Sequence, residues 1–362
     1  MATGPTKIAV WALTPAGAAL AKRFQQQWPG MTILQSRRLP RPKRISAVQA
    51  FDRLREAVAD NFTAFDGHLF VMAAGIVVRA IAPHLQHKTV DPAVVVVDDG
   101  GRFAISLVAG HIGGANRLAR QTADLIGATA VITTATDINN KPSIDVLAVE
   151  RGLCIETPNA IKTVSMALLK EERLYLHDPY GLISDVLAPF GDIVPPYQWA
   201  AAVGNGARVY IDDTGTPLCA DTLVLRPRSL SVGIGCNRNT SKAEIQELLQ
   251  RTLEDNRLSA NSLRNLASID LKRDEPGLLE LAGMLDLPIR FYSRDELNHV
   301  NHAVPNPSAM VAKHVGVTSV CEAAAILAAR QGTLIIPKQK TPNVTVAIAR
   351  HSSLSSESAP AA

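Results

Sequence analysis

Short, wholly apolar runs that recur between amphipathic stretches constrain this chain more than any other feature. "KIAVWAL" precedes "PAGAALAKRFQQQ", "GHLFVMAA" runs into "GIVVRAIAPHL", and "SLSVGIGC" leads to "SKAEIQELLQRTL". An apolar run without alternation reads as a strand buried on both faces, and a 3.6-residue period reads as the helix that covers it. A chain that alternates the two folds as α/β with a largely parallel sheet.

With 362 residues, more than one core is expected. The pattern predicts two α/β domains with a small β-rich middle segment: an N-terminal α/β domain over 1–170, a middle domain or linker over 171–228, a C-terminal α/β domain over 229–350, and a polar, disordered tail over 351–362. In the first region "AVQAFDRLREAVADNF" reads as a helix. Asp99-Gly100-Gly101 reads as a hairpin turn, Gly113 to Leu125 as a helix, and "TAVITTATD" as a strand. "RLYLHDP", "ARVYIDD" and "TLVLRP" are the short strands of the middle segment. In the last region Ser241 and Glu244 have capping-box spacing, Pro276 suits a first helical turn, and "GTLIIPKQKTPNVTVAIAR" closes as a hairpin.

Composition removes several function classes. Lys plus Arg against Asp plus Glu is 37 − 33 = +4, and aromatic residues make up only 4%, so a stacking nucleic-acid surface is not expected. The run "SRRLPRPKR" (36–44) reads as a solvated loop, and no nucleic-acid partner is expected. The four cysteines, Cys154, Cys219, Cys236 and Cys321, have neither disulfide nor zinc spacing. No apolar run approaches the ~20 residues of a membrane span, and "MATGPTKIAVWAL" does not have the pattern of a signal peptide, so a cytoplasmic protein with no membrane partner is expected.

Glycines cluster at three places, Gly75, Gly110 to Gly114, and Gly233 to Gly235, each read as a strand-to-helix turn where backbone can approach a ligand. The expectation is that all three face one cleft. "GIGCNR" opens like a dinucleotide fingerprint, but Arg238 stands where the third glycine belongs and no Walker sequence occurs, which disfavours a nucleotide-dependent oxidoreductase.

"GIVVRAIAP", "DPAVVVVDDGGRFAISLVAGHIGGANRLAR", "VITTATD", "GIGCNRNTS", "LASIDLKRDEPGLLELA", "KHVGVTSVCEAAAILAA" and "PNVTVAIAR" together resemble the CbiG family, the cobalt-precorrin-5A hydrolases of anaerobic cobalamin synthesis. The resemblance runs from about residue 7 to 350, in the family's order of N-terminal, middle and CobE-like C-terminal domains. For residues 171–228 it carries no functional pattern.

The resemblance implies an anionic tetrapyrrole substrate, cobalt-precorrin-5A, whose δ-lactone is opened with release of acetaldehyde to give cobalt-precorrin-5B. It also implies no protein-held cofactor or metal, the cobalt being carried by the substrate, and contacts that channel intermediates to neighbouring methyltransferases. A different class stays open beside it: a corrinoid carrier that changes nothing. The chemistry needs a base for the attacking water, and a neutral imidazole serves at cellular pH. His111, between Gly110 and Gly113, is the first candidate, with His314 and Glu322 competing. Set against these roles, His111 can be a mere turn residue and Glu322 a first-turn acid that favours a helix N-terminus. Cys236 is a candidate nucleophile that reads better as a packed thiol. Arg79, Arg238, Lys272 and Lys313 are the cations expected around the substrate's carboxylates. Gly75, Gly110, Gly113, Gly114, Asn116, Gly233 and Gly235 are expected to supply close contacts. For Lys272 and Arg273 the plain alternative is a solvated charge run balanced by Asp274 and Glu275.

Overall fold

The computed structural model describes residues 7–40, 48–87, 90–196, 199, 206–215, 221–306 and 316–352. Its contacts divide the chain into two units, Met1–Val149 and Glu150–Ala362. His314, Lys313 and nearly all of the C-terminal tail lie outside the described residues.

The first unit is built on seven strands: β1 (Ile8–Ala12), β2 (Thr32–Ser36), β3 (Val48–Phe51), β4 (Gly67–Val71), β5 (Ala93–Val97), β6 (Phe103–Val108) and β7 (Thr129–Val131). They lie in the order β3-β2-β1-β4-β5-β6-β7. The central strands β1, β4 and β5 are buried along their whole length, which is why they read as continuous apolar runs. Their alternate side chains fill two cores. Val10, Leu69, Val71, Val95 and Val97 pack on one face with Leu118 and Ala119, while Trp11, Phe70, Val94 and Val96 pack on the other with Val58 and Val77. Each such buried side chain contributes about 1.5–3 kcal/mol. His68 sits wholly buried in the second core, accepting from Trp11 Nε1 at 3.0 Å and meeting the Phe62 carbonyl at 3.0 Å. Burial lowers its pKa to about 4, so it is neutral there.

Two local expectations for this unit are corrected. "AVQAFDRLREAVADNF" is not one helix: Val48–Phe51 pairs in parallel with β2, and the helix begins at Leu54. Only Thr129–Val131 of "TAVITTATD" is strand; Ala135–Ile138 is a helical turn.

The Asp99-Gly100-Gly101 hairpin forms as expected and has a large consequence for the site. It makes β6 antiparallel to β5, pairing Val97 with Ala104 and Val94 with Val108. Strand β4 runs the other way, Val71 standing level with Val97. The loop after β6 therefore emerges at the opposite edge of the sheet from the loop after β4. The Gly75 segment and the Gly110–Gly114 turn cannot face one cleft, contrary to expectation.

The second unit holds two five-stranded sheets. One comprises β8 (Leu153–Ile155), β9 (Leu174–His177), β10 (Gly191–Ile193), β11 (Ala207–Ile211) and β12 (Thr222–Pro227), ordered β10-β9-β11-β12-β8, all parallel except β12 with β8. The three short strands expected in the middle region form as β9, β11 and β12 of one parallel-rich sheet, and β8 joins it although the sequence groups residues up to 170 with the first region. The other comprises β13 (Leu230–Cys236), β14 (Leu263–Ile269), β15 (Ile289–Tyr292), β16 (Thr333–Lys340) and β17 (Val344–Arg350), ordered β15-β14-β13-β17-β16, with the closing hairpin as expected.

Gly233 and Gly235 lie inside β13 and not at a turn. The reason is nonlocal: a Cβ on Gly233 would stand 1.8 Å from the carbonyl oxygen of Cys321, so the helix Val320–Ala328 rests directly on strand backbone. The expected capping box at Ser241 is half formed, its hydroxyl accepting from the Glu244 amide, while Glu244 receives Asn343 Nδ2 instead. His351, at the start of the stretch read as tail, is buried, donating its N–H to the Ser229 carbonyl at 2.9 Å.

Within this unit a buried ion pair ties the two sheets together. Asp213, fully buried after β11, takes Arg350 of β17 on both oxygens, at 2.7 and 2.8 Å, and the Ser229 hydroxyl at 2.7 Å.

Candidate active site

The turn from Ala109 to Gly114 joins β6 to the helix Ala115–Ile126. Gly114 is its left-handed N-cap at φ +86°, a conformation that favours glycine. The turn closes on itself: the amide of Gly114 donates to the His111 carbonyl, that of Ala115 to Ala109 and that of Asn116 to Gly110. The amides of Gly114, Ala115 and Asn116, at a turn where backbone is expected to approach a ligand, are therefore engaged inside the turn.

What the turn does is fix His111, whose side chain is 28% exposed. Its Nε2 lies 3.1 Å from Thr136 Oγ1 and 3.4 Å from Asp137 Oδ2, and its Nδ1 lies 3.7 Å from Asp145 Oδ2. Both ring nitrogens thus face carboxylates. Asp137 comes from the turn after β7, a strand parallel to β6 whose end reaches the same edge. Asp145 comes from the start of the helix Ile144–Glu150, where Ser143 Oγ holds its other oxygen at 2.7 Å.

Asn116 is the organiser of this cluster and not a surface contact. It is buried, accepts from Ser106 Oγ at 2.7 Å, and donates to Thr134 Oγ1 at 3.0 Å and Asp137 Oδ2 at 2.9 Å. Arg120 pairs with the other Asp137 oxygen. Burial works against ionisation of Asp137, but the Thr134 hydroxyl and the Arg120 guanidinium outweigh it and hold its carboxyl below the usual range. An ionised Asp137 beside an accessible imidazole is the arrangement in which a histidine takes a proton and the resulting cation is stabilised. Thr134, Thr136, Asp137 and Asp145 are site residues that the sequence pattern does not single out. The signals were the hydroxyl-rich "TTATD" after a strand and "SID" opening the next helix.

The other expected residues sit on other elements. Gly75 lies in the first turn of the helix Ala74–Ile81 and its carbonyl takes Arg79 Nη1 at 2.8 Å, both at the edge away from His111. In the second unit Arg238 pairs with Asp274 at 2.6 Å and donates to the Leu271 carbonyl, while Lys272 pairs with buried Glu275 at 3.1 Å. Lys272 is thus largely enclosed rather than solvated. Burial pushes the Cys236 thiol up, as for a packed thiol. Glu322 is fully buried, with Oε1 accepting from Asn306 and the Lys338 amide and Oε2 lacking a partner among the described residues.

Comparison with known proteins matches most of the sequence. Residues 56–137 match the family "Cobalamin synthesis G N-terminal", 142–227 match "Cobalamin biosynthesis central region", and 230–349 match "Cobalamin synthesis G C-terminus". A cobalt-precorrin-5A hydrolase of Salmonella typhimurium is 34% identical over 353 residues, 95% of this chain and 97% of the relative. A protein of the same name from Priestia megaterium is 34% identical over 306 residues, 82% of this chain and 81% of its own. The solved structure of CobE, a protein from the cobalamin biosynthetic pathway, is 39% identical, covering 34% of this chain and 90% of its own, with a TM-score of 0.33. With a full-length relative and all three regions matched in order, the chain belongs to the CbiG family of cobalamin biosynthesis.

Proposed function

We propose that this protein hydrolyses the δ-lactone of cobalt-precorrin-5A and releases acetaldehyde, giving cobalt-precorrin-5B in anaerobic cobalamin biosynthesis. The observation that carries the reading is the match along 95% of the chain to a hydrolase of that name. His111 takes a proton from the water that attacks the lactone carbonyl. The imidazolium then lies between Asp137 and Asp145, at 3.4 and 3.7 Å. The tetrahedral intermediate collapses with loss of the ring oxygen, which takes the proton back from His111 to become a hydroxyl on the extruded carbon, and the new carboxyl on the acetate arm releases its proton to solvent as a carboxylate. Loss of that hydroxyl proton forms the aldehyde carbonyl as the bond to the macrocycle breaks, and the bonding pair stays on the macrocycle. Since amides 114–116 are engaged in the turn, the oxyanion falls to donors outside it.

The substrate is an anionic tetrapyrrole that brings its own cobalt, so the reaction calls for no protein-held cofactor. Among the described residues no helix is long and apolar enough to cross a membrane. We place the enzyme in the cytoplasm, handing its product to the pathway's methyltransferases. The test is direct: purified protein incubated with cobalt-precorrin-5A releases acetaldehyde without added nucleotide, nicotinamide or S-adenosylmethionine. Tight binding with unchanged substrate would establish a carrier instead.

A further inference from the structure

The two carboxylates that face His111 are not equivalent. Asp137 Oδ2 accepts from Asn116 Nδ2 at 2.9 Å and from the Thr134 hydroxyl, and it stands 3.4 Å from His111 Nε2, with Thr136 Oγ1 closer still at 3.1 Å. On the other side of the ring Asp145 Oδ2 is 3.7 Å from Nδ1, too far for a direct hydrogen bond. Asp145 is buried, and its Oδ1 accepts from the Ser143 hydroxyl at 2.7 Å and the Val146 amide at 3.0 Å. Those two bonds fix the carboxylate with its other oxygen on the imidazole side.

This asymmetry decides the tautomer. A neutral imidazole has one N–H and one lone pair. The Thr136 hydroxyl suits either form, since it can donate or accept, but the ionised Asp137 does not. A lone pair on Nε2 would face a negative oxygen, whereas an N–H there meets two acceptors. The proton therefore belongs on Nε2 and the lone pair on Nδ1. Nδ1 and Asp145 Oδ2 are then two acceptors facing one another across 3.7 Å. A donor with two hydrogens relieves that opposition, and a water about 2.8 Å from each atom spans the separation.

We infer that Nδ1 is the basic nitrogen of His111 and that Asp145 is a second catalytic residue, the two together holding the water that attacks the lactone. The inference rests on the hydrolytic reading above. One water hydrogen points to Nδ1 and the other to Asp145 Oδ2, which leaves an oxygen lone pair for the lactone carbonyl carbon. As the new C–O bond forms, the carbonyl pair moves onto its own oxygen and the water proton passes to Nδ1. The imidazolium then has one N–H toward each aspartate, and Nδ1 later returns its proton to the departing ring oxygen. Asp137 and Thr136 are positioning residues that keep the other proton on Nε2.

Two measurements on the full-length protein test this. The tautomer is read without substrate from the imidazole nitrogen NMR signals of His111 at alkaline pH, and the Nε2–H form is expected. Turnover and substrate binding are then compared for the parent and Asp145→Asn. In that variant Ser143 and Val146 still donate to the side-chain oxygen, so the amide nitrogen replaces Oδ2 and turns a donor toward Nδ1. The water loses both of its acceptors. The kcat is expected to fall about 10²-fold or more, with KM and Tm near those of the parent and the Nε2–H tautomer retained. A parent with its proton on Nδ1, or an Asp145→Asn enzyme that turns over within a few-fold of the parent, overturns the assignment. So does a variant whose tautomer switches, since Asp145 would then orient the ring and Nε2 would be the base. A parent that binds the substrate but releases no acetaldehyde fails the hydrolytic reading and this assignment with it, whereas the outcomes above fail the assignment alone.

Discussion

Asp137 Oδ2 lies 3.4 Å from His111 Nε2, across two strand-end loops that meet only because β6 and β7 run in the same direction. That contact makes His111 the group on which the proposed chemistry turns. His111→Ala is expected to lower the rate of lactone opening by about 10²–10⁴-fold while the bound lactone accumulates. Thermal unfolding should stay near that of the parent, because the side chain is partly exposed. Activity lost only in proportion to stability would make His111 a turn residue.

The depressed Asp137 carboxyl has a signature in acid. Its folded pKa is below its ordinary 3.8, so its stabilising contribution is complete above 3.8 and is lost as pH falls through the lower folded value. Asp137→Asn should therefore flatten the fall of stability below pH 3.8. Urea midpoints measured across that range check it, and parallel curves for the two proteins would contradict it.

His68 predicts a different window. It is neutral in the fold with a pKa of about 4, against 6.5 when exposed, so stability is full above 6.5 and declines as pH falls toward 4. His68→Phe should remove that part of the decline. At pH 7 it should cost about 1–3 kcal/mol, because the buried Trp11 N–H is left without an acceptor. Denaturant titrations of the pair at pH 7 and pH 5 separate the two effects.

Arg350→Ala strands Asp213 as a buried charge. Loss of one partner from a buried pair costs about 3–5 kcal/mol. The lower end is expected here, since the Arg350 side chain is 31% exposed and Ser229 and Tyr180 still donate to Asp213. Hydrogen exchange should quicken in β11 and β17 together, and quickening in β17 alone would show that the pair does not couple the two sheets.

Sequence carried the fold wherever pattern and period agreed. Val94 to Val97 and Leu69 to Val71 lie inside sheets and could be nothing but apolar, and Asp99-Gly100-Gly101 turns because those residues turn locally. Val48, Phe51, Leu54 and Val58 also suit a helical face, so the period could not reveal that the first two pair with β2; only a neighbouring strand decides that. Gly233 looked like a turn because the helix that requires it arrives from distant sequence. The site divided in the same way. His111 stood out among glycines, whereas Asp137 and Asp145 were ordinary acids in helix-opening positions until β7 brought them to the same edge. Asn116, expected to touch substrate, satisfies Ser106, Thr134 and Asp137 instead, which no local pattern announces.

In a sheet wound only by crossovers, every loop that follows a strand crowds onto a single rim. One hairpin at Asp98–Gly101 gives this sheet two working rims. Insertions at Leu13–Gly17 or Met72–Gly75 would lengthen one rim without displacing His111 on the other, so the loops beside β1 and β4 can diverge freely in length while the histidine edge is held to its geometry.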